Sequence, residues 1–370
     1  MIGVASVERH APHRIDQIIP SIIEHDAVSN HTFSAQRLLH EMGFVGDIYA
    51  STLGPGVEGR VRPLAEFVPD RDPSHWVMYQ CSIGSRAAEI FAMHQGIKLL
   101  DYHNITPEDL VKRWLPPLGQ EIQLGREQLA RLAPQVDYAI ADSRFNASEL
   151  VALGYVHAEV VPVLIETGNI GAAPDEKTLE RYAHGRGHSL VFVGQVAPHK
   201  AQHDLILAFS RYRELFDQEA RLFLVGREMG SAYRHALERL VRELGLDGSV
   251  VMTGSVSTGE LAAYYELSDA FVCLSDHEGF CAPIIEAMSR RLPVVAYAVS
   301  AVPDTVGKGG LLIARKDPDY VACVLHELFD APGLVAKMEE RALDQARLYT
   351  LEHAEEVFRE TMRRAIAVLS

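Results

Sequence analysis

Residues 276–296 read DHEGFCAPIIEAMSRRLPVVA and place two carboxylates, Glu278 and Glu286, eight positions apart. Pro283 suits the first position of a helix, because its missing N–H would be unpaired there anyway. The backbone N–H groups of Gly279, Phe280, Cys281 and Ala282 would then stand at a helix N-terminus, where the macrodipole favours an anion. Gly279 would let the backbone come close to that anion, and Glu286 would fall on the first helical turn. Carboxylates are poor phosphate ligands and good acceptors for sugar and ribose hydroxyls. A nucleotide-sugar meets both demands at once.

Elements must position this turn. Short apolar runs alternate with longer amphipathic ones, the βαβ pattern of a parallel sheet. In the first half, 45–51, 75–82, 98–104 and 137–143 read as strands, and EVVPVL at 159–164 completes the set. Segments 35–43 and 85–96 read as helices closed by glycine stops, and 143–155 as a helix begun by a capping serine. Residues 166–188, rich in Gly, Ala and charge, read as a linker. A second alternation follows, with strands at 189–194, 221–226, 249–254, 270–276 and 292–298, most of them continuous apolar runs typical of buried parallel strands. The pattern predicts an α/β fold of two doubly wound, Rossmann-like domains facing a cleft, with ligands beyond the carboxyl ends of the strands.

The 370 residues suit two or three domains, and 48% hydrophobic with 23% charged residues is ordinary globular composition. A net charge of −15 argues against a nucleic-acid partner or a general anionic-membrane surface. Cys81, Cys273, Cys281 and Cys323 lack CxxC spacing and read as free thiols. The opening MIGVASVERHAPHR carries charge early and has no signal-type apolar core, and no run reaches ~18 apolar residues. The expected location is the cytoplasm, with contact at the inner face of the membrane left open. The pairs Asp70/Asp72 and Asp317/Asp319 sit in Pro-containing loops and read as turn residues, so no metal is expected.

DHEGFCAPIIEAMSRRLPVVA resembles the E-x7-E segment of retaining family-4 glycosyltransferases of the GT-B fold, in particular a bacterial polysaccharide-assembly branch of mannosyl- and glycosyltransferases. LVFVGQVAPHKAQHDLILAF is similar to that family's diphosphate-binding strand–loop–helix. TGSVSTGELAAYYELSDAFVCLS resembles its base-binding loop, and AYAVSAVPDTVGKGGLLI the tail after the second glutamate. HDAVSNHTFSAQRLLHEMG, YHNITP and ADSRFNASELVALGY resemble its N-terminal half. An E-x7-E alone is weak. Several ordered motifs along nearly the whole chain are far more specific.

The resemblance implies an acceptor-side domain over 1–168, a nucleotide-sugar domain over 169–345 and a last helix, 346–370, packing back across both. It implies that Glu278 binds sugar hydroxyls and Glu286 the ribose. The N–H groups of Phe280, Cys281 and Ala282 would hold the diphosphate, with Lys200 neutralising its charge. Gly254, Ser255 and Val256 would face the base, His103 the anomeric centre, and the loop with Asp26, Ser29 and Asn30 the donor and acceptor. The family usually carries arginine where this chain has Gln195, and Arg227 is the candidate replacement. The implied activity is metal-independent transfer of a hexose or related sugar, with retention, to a glycan, lipid-linked or small-molecule acceptor. No cofactor is implied, and GDP-mannose is weakly favoured over a UDP-sugar. A sugar-nucleotide epimerase would need acid and base carboxylates that the sequence does not offer. A silent binding protein would be signalled by Gln195, against the intact Glu278, Glu286 and Lys200.

Overall fold

The computed structural model describes residues 11–23, 26–164, 171–183 and 187–370. The first ten residues, weighed above as a leader, and parts of the 166–188 linker lie outside the described residues. Contacts divide the chain into two units. One holds Met1–Ile105, Glu121–Ile165 and Leu351–Ser370, and the other Thr106–Gln120 and Glu166–Thr350.

In chain order the strands are β1 Arg14–Ile22, β2 Ile48–Leu53, β3 Arg62–Pro63, β4 His75–Cys81, β5 Lys98–Tyr102, β6 Tyr138–Ala141 and β7 Ala158–Val160 in the first sheet. The second sheet has β8 Ser189–Val193, β9 Arg221–Val225, β10 Val250–Gly254, β11 Ala270–Cys273, β12 Val294–Tyr297 and β13 Leu311–Ile313. The helices are α1 Ala27–Glu41, α2 Arg86–Met93, α3 Pro116–Leu132, α4 Arg144–Ala152, α5 Glu176–Tyr182, α6 Gln202–Leu215 and α7 Ser231–Glu243. They continue with α8 Thr258–Glu266, α9 Ala282–Ser289, α10 Val302–Val306, α11 Pro318–Phe329, α12 Pro332–Ala346 and α13 Leu351–Leu369.

Both sheets are parallel, and each reverses its strand order once. The first runs β3-β2-β1-β4-β5-β6-β7 and the second β10-β9-β8-β11-β12-β13. The reversals fall between β1 and β4 and between β8 and β11. At such a switch point the flanking loops diverge and leave a crevice at the carboxyl edge.

Three expectations need correction. The central strand β1 was not anticipated. Its sequence RIDQIIPSI buries polar Asp16 and Gln17 and contains Pro20, all features that argue against a central strand. The register explains the proline. Pairing with β4 ends at Ile18↔Tyr79, and the register with β2 passes from Ile19↔Ala50 to Ser21↔Thr52, so Pro20 stands where its missing N–H is not needed. The supposed linker contains α5, started by Asp175, whose side chain accepts the Thr178 N–H. Helix α3 was also missed, because its proline-proline start and two glycines hide its periodicity.

The second unit's core is the apolar run expected of buried parallel strands, with Leu190, Phe223, Phe271 and Val295 all inaccessible to solvent. In the first unit, α13 lays Ala354, Phe358, Met362 and Ala365 at helical spacing onto a cluster containing Ile15, Trp76 and Leu99. Segment Thr106–Gln120 belongs with the second unit, where Trp114 meets Tyr233 edge-on at 5.2 Å. Among the described residues no helix is long and apolar enough to cross a membrane.

Candidate functional site

Lys200 follows β8 and Glu278 follows β11, so the second sheet's switch point brings them together from 78 residues apart. Lys200 Nζ donates to Glu278 Oε2 at 2.6 Å. Ser275 Oγ donates to the other carboxylate oxygen, Oε1, at 2.7 Å, and the residue's backbone is anchored by the Glu278 N–H donating to Ser300 Oγ at 2.8 Å. Burial pulls the Lys200 ammonium down, but the Glu278 carboxylate outweighs it and leaves the lysine above its usual range. A buried charge of this kind persists only when paired.

Cys281 caps α9 in the left-handed region, at φ 69°. The helix starts at Ala282, so Pro283 is its second residue and Glu286 its fifth. Glu286 therefore lies one residue deeper in the helix than the sequence suggested. Among the described residues, no acceptor bonds the N–H groups of Gly279, Phe280, Cys281 or Ala282. These are orphan donors at a helix start, beside a lysine. Glu286 is half-buried and accepts from the Tyr265 hydroxyl at 2.8 Å. Burial pushes its carboxyl above the ordinary value, and the Tyr265 bond and the Arg290 charge oppose that only partly.

The other predicted residues of this unit lie on the same edge. Gln195 follows β8, and its carbonyl accepts Gln202 Nε2 at 2.8 Å. Arg227 follows β9 and is exposed, and its carbonyl accepts the Val196 N–H at 2.8 Å, tying it to the Gln195 loop. Gly226 crowds Gly194 so tightly that a Cβ would come within 2.0 Å of the Gly194 carbonyl oxygen. Gly254, with φ 72°, ends β10, its carbonyl accepting the Gly226 N–H at 3.1 Å, and exposed Ser255 and half-buried Val256 follow.

In the first unit, His103 stands at the carboxyl end of β5 inside a buried polar network. Gln17 Nε2 donates to the Thr32 carbonyl at 3.1 Å, which can only accept, so Gln17 Oε1 must receive Gln80 Nε2 at 2.7 Å. Gln80 Oε1 therefore accepts from His103 Nε2 at 2.5 Å, while His103 Nδ1 faces Asp142 at 3.1 Å. Both ring nitrogens carry protons, and His103 is an imidazolium. Burial works against that charge, but Asp142 and Asp101 overcome it and raise the histidine to about 9. Neighbouring His31 is fixed the other way. Its Nδ1 accepts the Leu164 N–H at 3.0 Å, and its Nε2 donates to Asp101 at 2.8 Å.

Asp26 and Ser29 form the cap of α1. Asp26 accepts the Ser29 N–H and hydroxyl, both at 3.1 Å, and Ser29 Oγ accepts the Ile23 N–H at 3.1 Å. Asn30, one residue on, is exposed. Of the five non-glycine residues at positive φ among those described, Asn104, Ala201, Cys281 and Ser300 adjoin His103, Lys200 or Glu278. Such conformations cost of order 1–3 kcal/mol each and gather at functional sites.

The sequence reading missed Ser275, Ser300, Tyr265 and His199. The first three hold the two glutamates through contacts that only the fold creates. His199 is buried beside Lys200, and its Nδ1 has no hydrogen-bond partner among the described residues. Burial, with the Lys200 charge, keeps it well below the ordinary histidine value. The HK dipeptide was the one available signal for it.

Residues 176–345 match the family "Glycosyl transferases group 1". The chain is 30% identical over 264 residues to a D-inositol 3-phosphate glycosyltransferase from Nocardioides sp., covering 66% of this chain and 56% of that protein. It is 29% identical over 230 residues to a GDP-mannose-dependent alpha-(1-6)-phosphatidylinositol monomannoside mannosyltransferase from Mycolicibacterium smegmatis, covering 59% of each. The chain thus spans little more than half the length of the curated relatives it matches. Its fold is that of Anabaena HepE, solved in complex with UDP-glucose, with TM-score 0.73, 15% identity and coverage of 95% of this chain and 100% of that one. That fold is GT-B, built from two parallel Rossmann-like sheets.

Proposed function

We propose that this chain, whose residues 176–345 match the group 1 glycosyl transferases, moves a hexose from a nucleotide-sugar to an acceptor hydroxyl, with retention and without a metal in the transfer step. The observation that carries the proposal is the Lys200–Glu278 pair at the β8/β11 switch point, set beside unbonded N–H groups at the start of α9.

The diphosphate sits against the N–H groups of Phe280, Cys281 and Ala282. Lys200 turns its ammonium from Glu278 alone to Glu278 and the phosphate together, and stabilises the negative charge that grows on the leaving group. Glu278, freed of part of that interaction, accepts a hydroxyl of the donor sugar, while Glu286 accepts the ribose diol. The departing phosphate takes the acceptor proton on the same face of the sugar, so no separate base carboxylate is required. Gln195 cannot supply the charge of an arginine, and Arg227, tied by its backbone to the same loop, is the proposed replacement.

GDP-mannose is proposed as donor over a UDP-sugar, in line with the GDP-mannose dependence named for the mycobacterial relative. The acceptor class is a glycan, a lipid-linked sugar or a small polyol, the last two in line with the relatives' names. Nothing in the −15 charge favours nucleic acid.

A thermal-shift panel of GDP, UDP, ADP, dTDP and their sugar conjugates tests the reading. A nucleotide at ~100 times its dissociation constant stabilises the chain by about 2.7 kcal/mol, and guanosine ligands should give the largest rise. A panel in which no nucleotide moves the melting curve would overturn the proposal.

A further inference from the structure

At the opposite edge of the first sheet, where its strands begin, three side chains converge. His75 is the first residue of β4, His94 caps the C-terminus of α2, and Asp70 lies in the loop before β4. The nitrogen and oxygen atoms they offer lie within 4.8 Å of one another. We propose that this cluster is a zinc site, with His75 Nδ1, His94 Nδ1 and the Asp70 carboxylate as protein ligands and water as the fourth.

The hydrogen bonds at the outer ring nitrogens leave each Nδ1 as the atom that faces the cluster. His94 Nε2 lies 2.9 Å from the His75 carbonyl, which can only accept, so Nε2 carries the proton and Nδ1 the lone pair, which the Asp70 N–H meets at the long distance of 3.5 Å. His75 Nε2 lies 2.9 Å from Asp16 Oδ2, whose carboxylate also accepts from Arg14 Nε at 2.9 Å and from the Asp47 N–H at 2.8 Å. It too must donate there, while His75 Nδ1, 2.7 Å from Asp70 Oδ2, donates to that carboxylate until a metal displaces its proton. One ring thus backs onto a carboxylate and the other onto a backbone carbonyl, the outer partners that metal-bound imidazoles commonly have.

The third ligand is held and yet reachable. The Asp72 N–H donates to Asp70 Oδ1 at 3.1 Å, and Asp72 in turn accepts the Ser74 N–H and hydroxyl. The Asp70 side chain is 42% exposed, which leaves a path in and room for a water. Its oxygens stand 2.7 Å from His75 Nδ1 and 3.9 Å from His94 Nδ1. Bonds of ~2.0–2.2 Å at tetrahedral angles place ligand atoms roughly 3.3–3.5 Å apart. A carboxylate movement of under about an ångström brings both oxygen–nitrogen distances to that value, and the two Nδ1 atoms lie within 4.8 Å of each other. Two imidazoles and a carboxylate suit zinc among the common divalent ions.

Two other clusters with ligand-type side chains do not compete. In the first, His31 spends its ring nitrogens on the Leu164 N–H and on Asp101, both outside the cluster, and in the second, Glu278 between Cys273 and Cys281 already holds the Lys200 ammonium. The zinc would tie the loop before β4 to the end of α2. It lies at the edge away from the strand ends that carry Gln80 and His103 and takes no part in transfer. Binding exchanges a proton for the metal: the N–H between His75 and Asp70 breaks, the Zn–N bond forms, and the proton leaves to solvent.

The full chain, stripped of metal, should be titrated with zinc chloride under equilibrium dialysis, and with cobalt chloride for absorption. The expected result is one zinc per chain, a rise in Tm, and the intense visible bands of tetrahedral cobalt. Asp70→Asn, at a half-exposed side chain, should weaken zinc binding at least tenfold and lose those bands, and His94→Gln should do the same where it folds. No stoichiometric zinc, or unchanged affinity in Asp70→Asn, would overturn the proposal.

Discussion

Both sheets reverse strand order once, and the two switch points are furnished in opposite ways. At β8/β11, charge is left in part unspent: Lys200 holds one carboxylate, and among the described residues the N–H groups opening α9 have no acceptors and the His199 Nδ1 has no partner. Around β1, β4 and β5, the polar groups satisfy one another, from the Thr32 carbonyl through Gln17 and Gln80 to His103 and Asp142. The first arrangement is the one proposed to receive an anion. The second fixes a positive charge in place before any ligand arrives. Orphan donors mark where chemistry comes from outside, and closed networks mark where the protein has supplied it already.

The contrast breaks most sharply at Lys200. Lys200→Ala should lower kcat by ~10²–10³-fold, the scale of losing one preorganised stabiliser of developing charge. It also leaves Glu278 buried without its cation, so Tm should fall as well, and single-turnover rates at a temperature well below the new Tm separate the two effects.

Glu286 comes next. Glu286→Ala should raise the nucleotide Kd by roughly 10–100-fold, as expected for losing charged hydrogen bonds worth about 1.5–3 kcal/mol. Because burial raises this carboxyl, wild-type affinity should begin to fall on acidification at a higher pH than an ordinary glutamate would give. Calorimetric titrations from pH 7 downward should show that decline in the wild type and its absence in Glu286→Gln.

His103 tests the closed network. Its folded value, about 9, lies above the unfolded histidine value of ~6.5. Its stabilisation is therefore complete below ~6.5 and is lost as pH rises through about 9. Wild-type Tm should fall over that window, and His103→Gln should start lower and lose the slope. A wild-type Tm that is flat from pH 6.5 to 9 would show that the imidazolium assignment is wrong.

The smallest effect should come from Asn30→Ala. This side chain is exposed beside the Asp26–Ser29 cap. Acceptor KM should rise by less than about tenfold with donor affinity unchanged, because one hydrogen bond contributes about 1 kcal/mol.

The same contrast explains what the sequence made legible. The open site was readable because its parts are local: a strand, a tight turn and a helix start carry Glu278, the N–H groups and Glu286 within nine residues. Even there, the helix begins one residue earlier than Pro283 indicates, and Glu286 is one residue deeper. The closed network was not readable. It joins Gln17, Gln80, His103 and Asp142, spread over more than 120 positions, and each looks like an isolated polar residue. Strand β1 was missed for the same reason. Asp16 and Gln17 break its apolar pattern because they pair with side chains of other strands and loops, and no local window shows those partners. Ser275, Ser300 and Tyr265 support the glutamates only once the fold has formed, while five of the second unit's strands could be read to within about three residues and the short edge strand β13 could not.

The central claim is that the carboxyl edge of the second sheet holds the diphosphate of a nucleotide-sugar between Lys200 and the start of α9. Isothermal titration of GDP and UDP into the wild type, Lys200→Ala and Glu286→Ala tests it most directly. One-to-one binding in the wild type, weakened at least tenfold in each variant, is the predicted result. Nucleotide affinity unchanged in both variants would contradict the account.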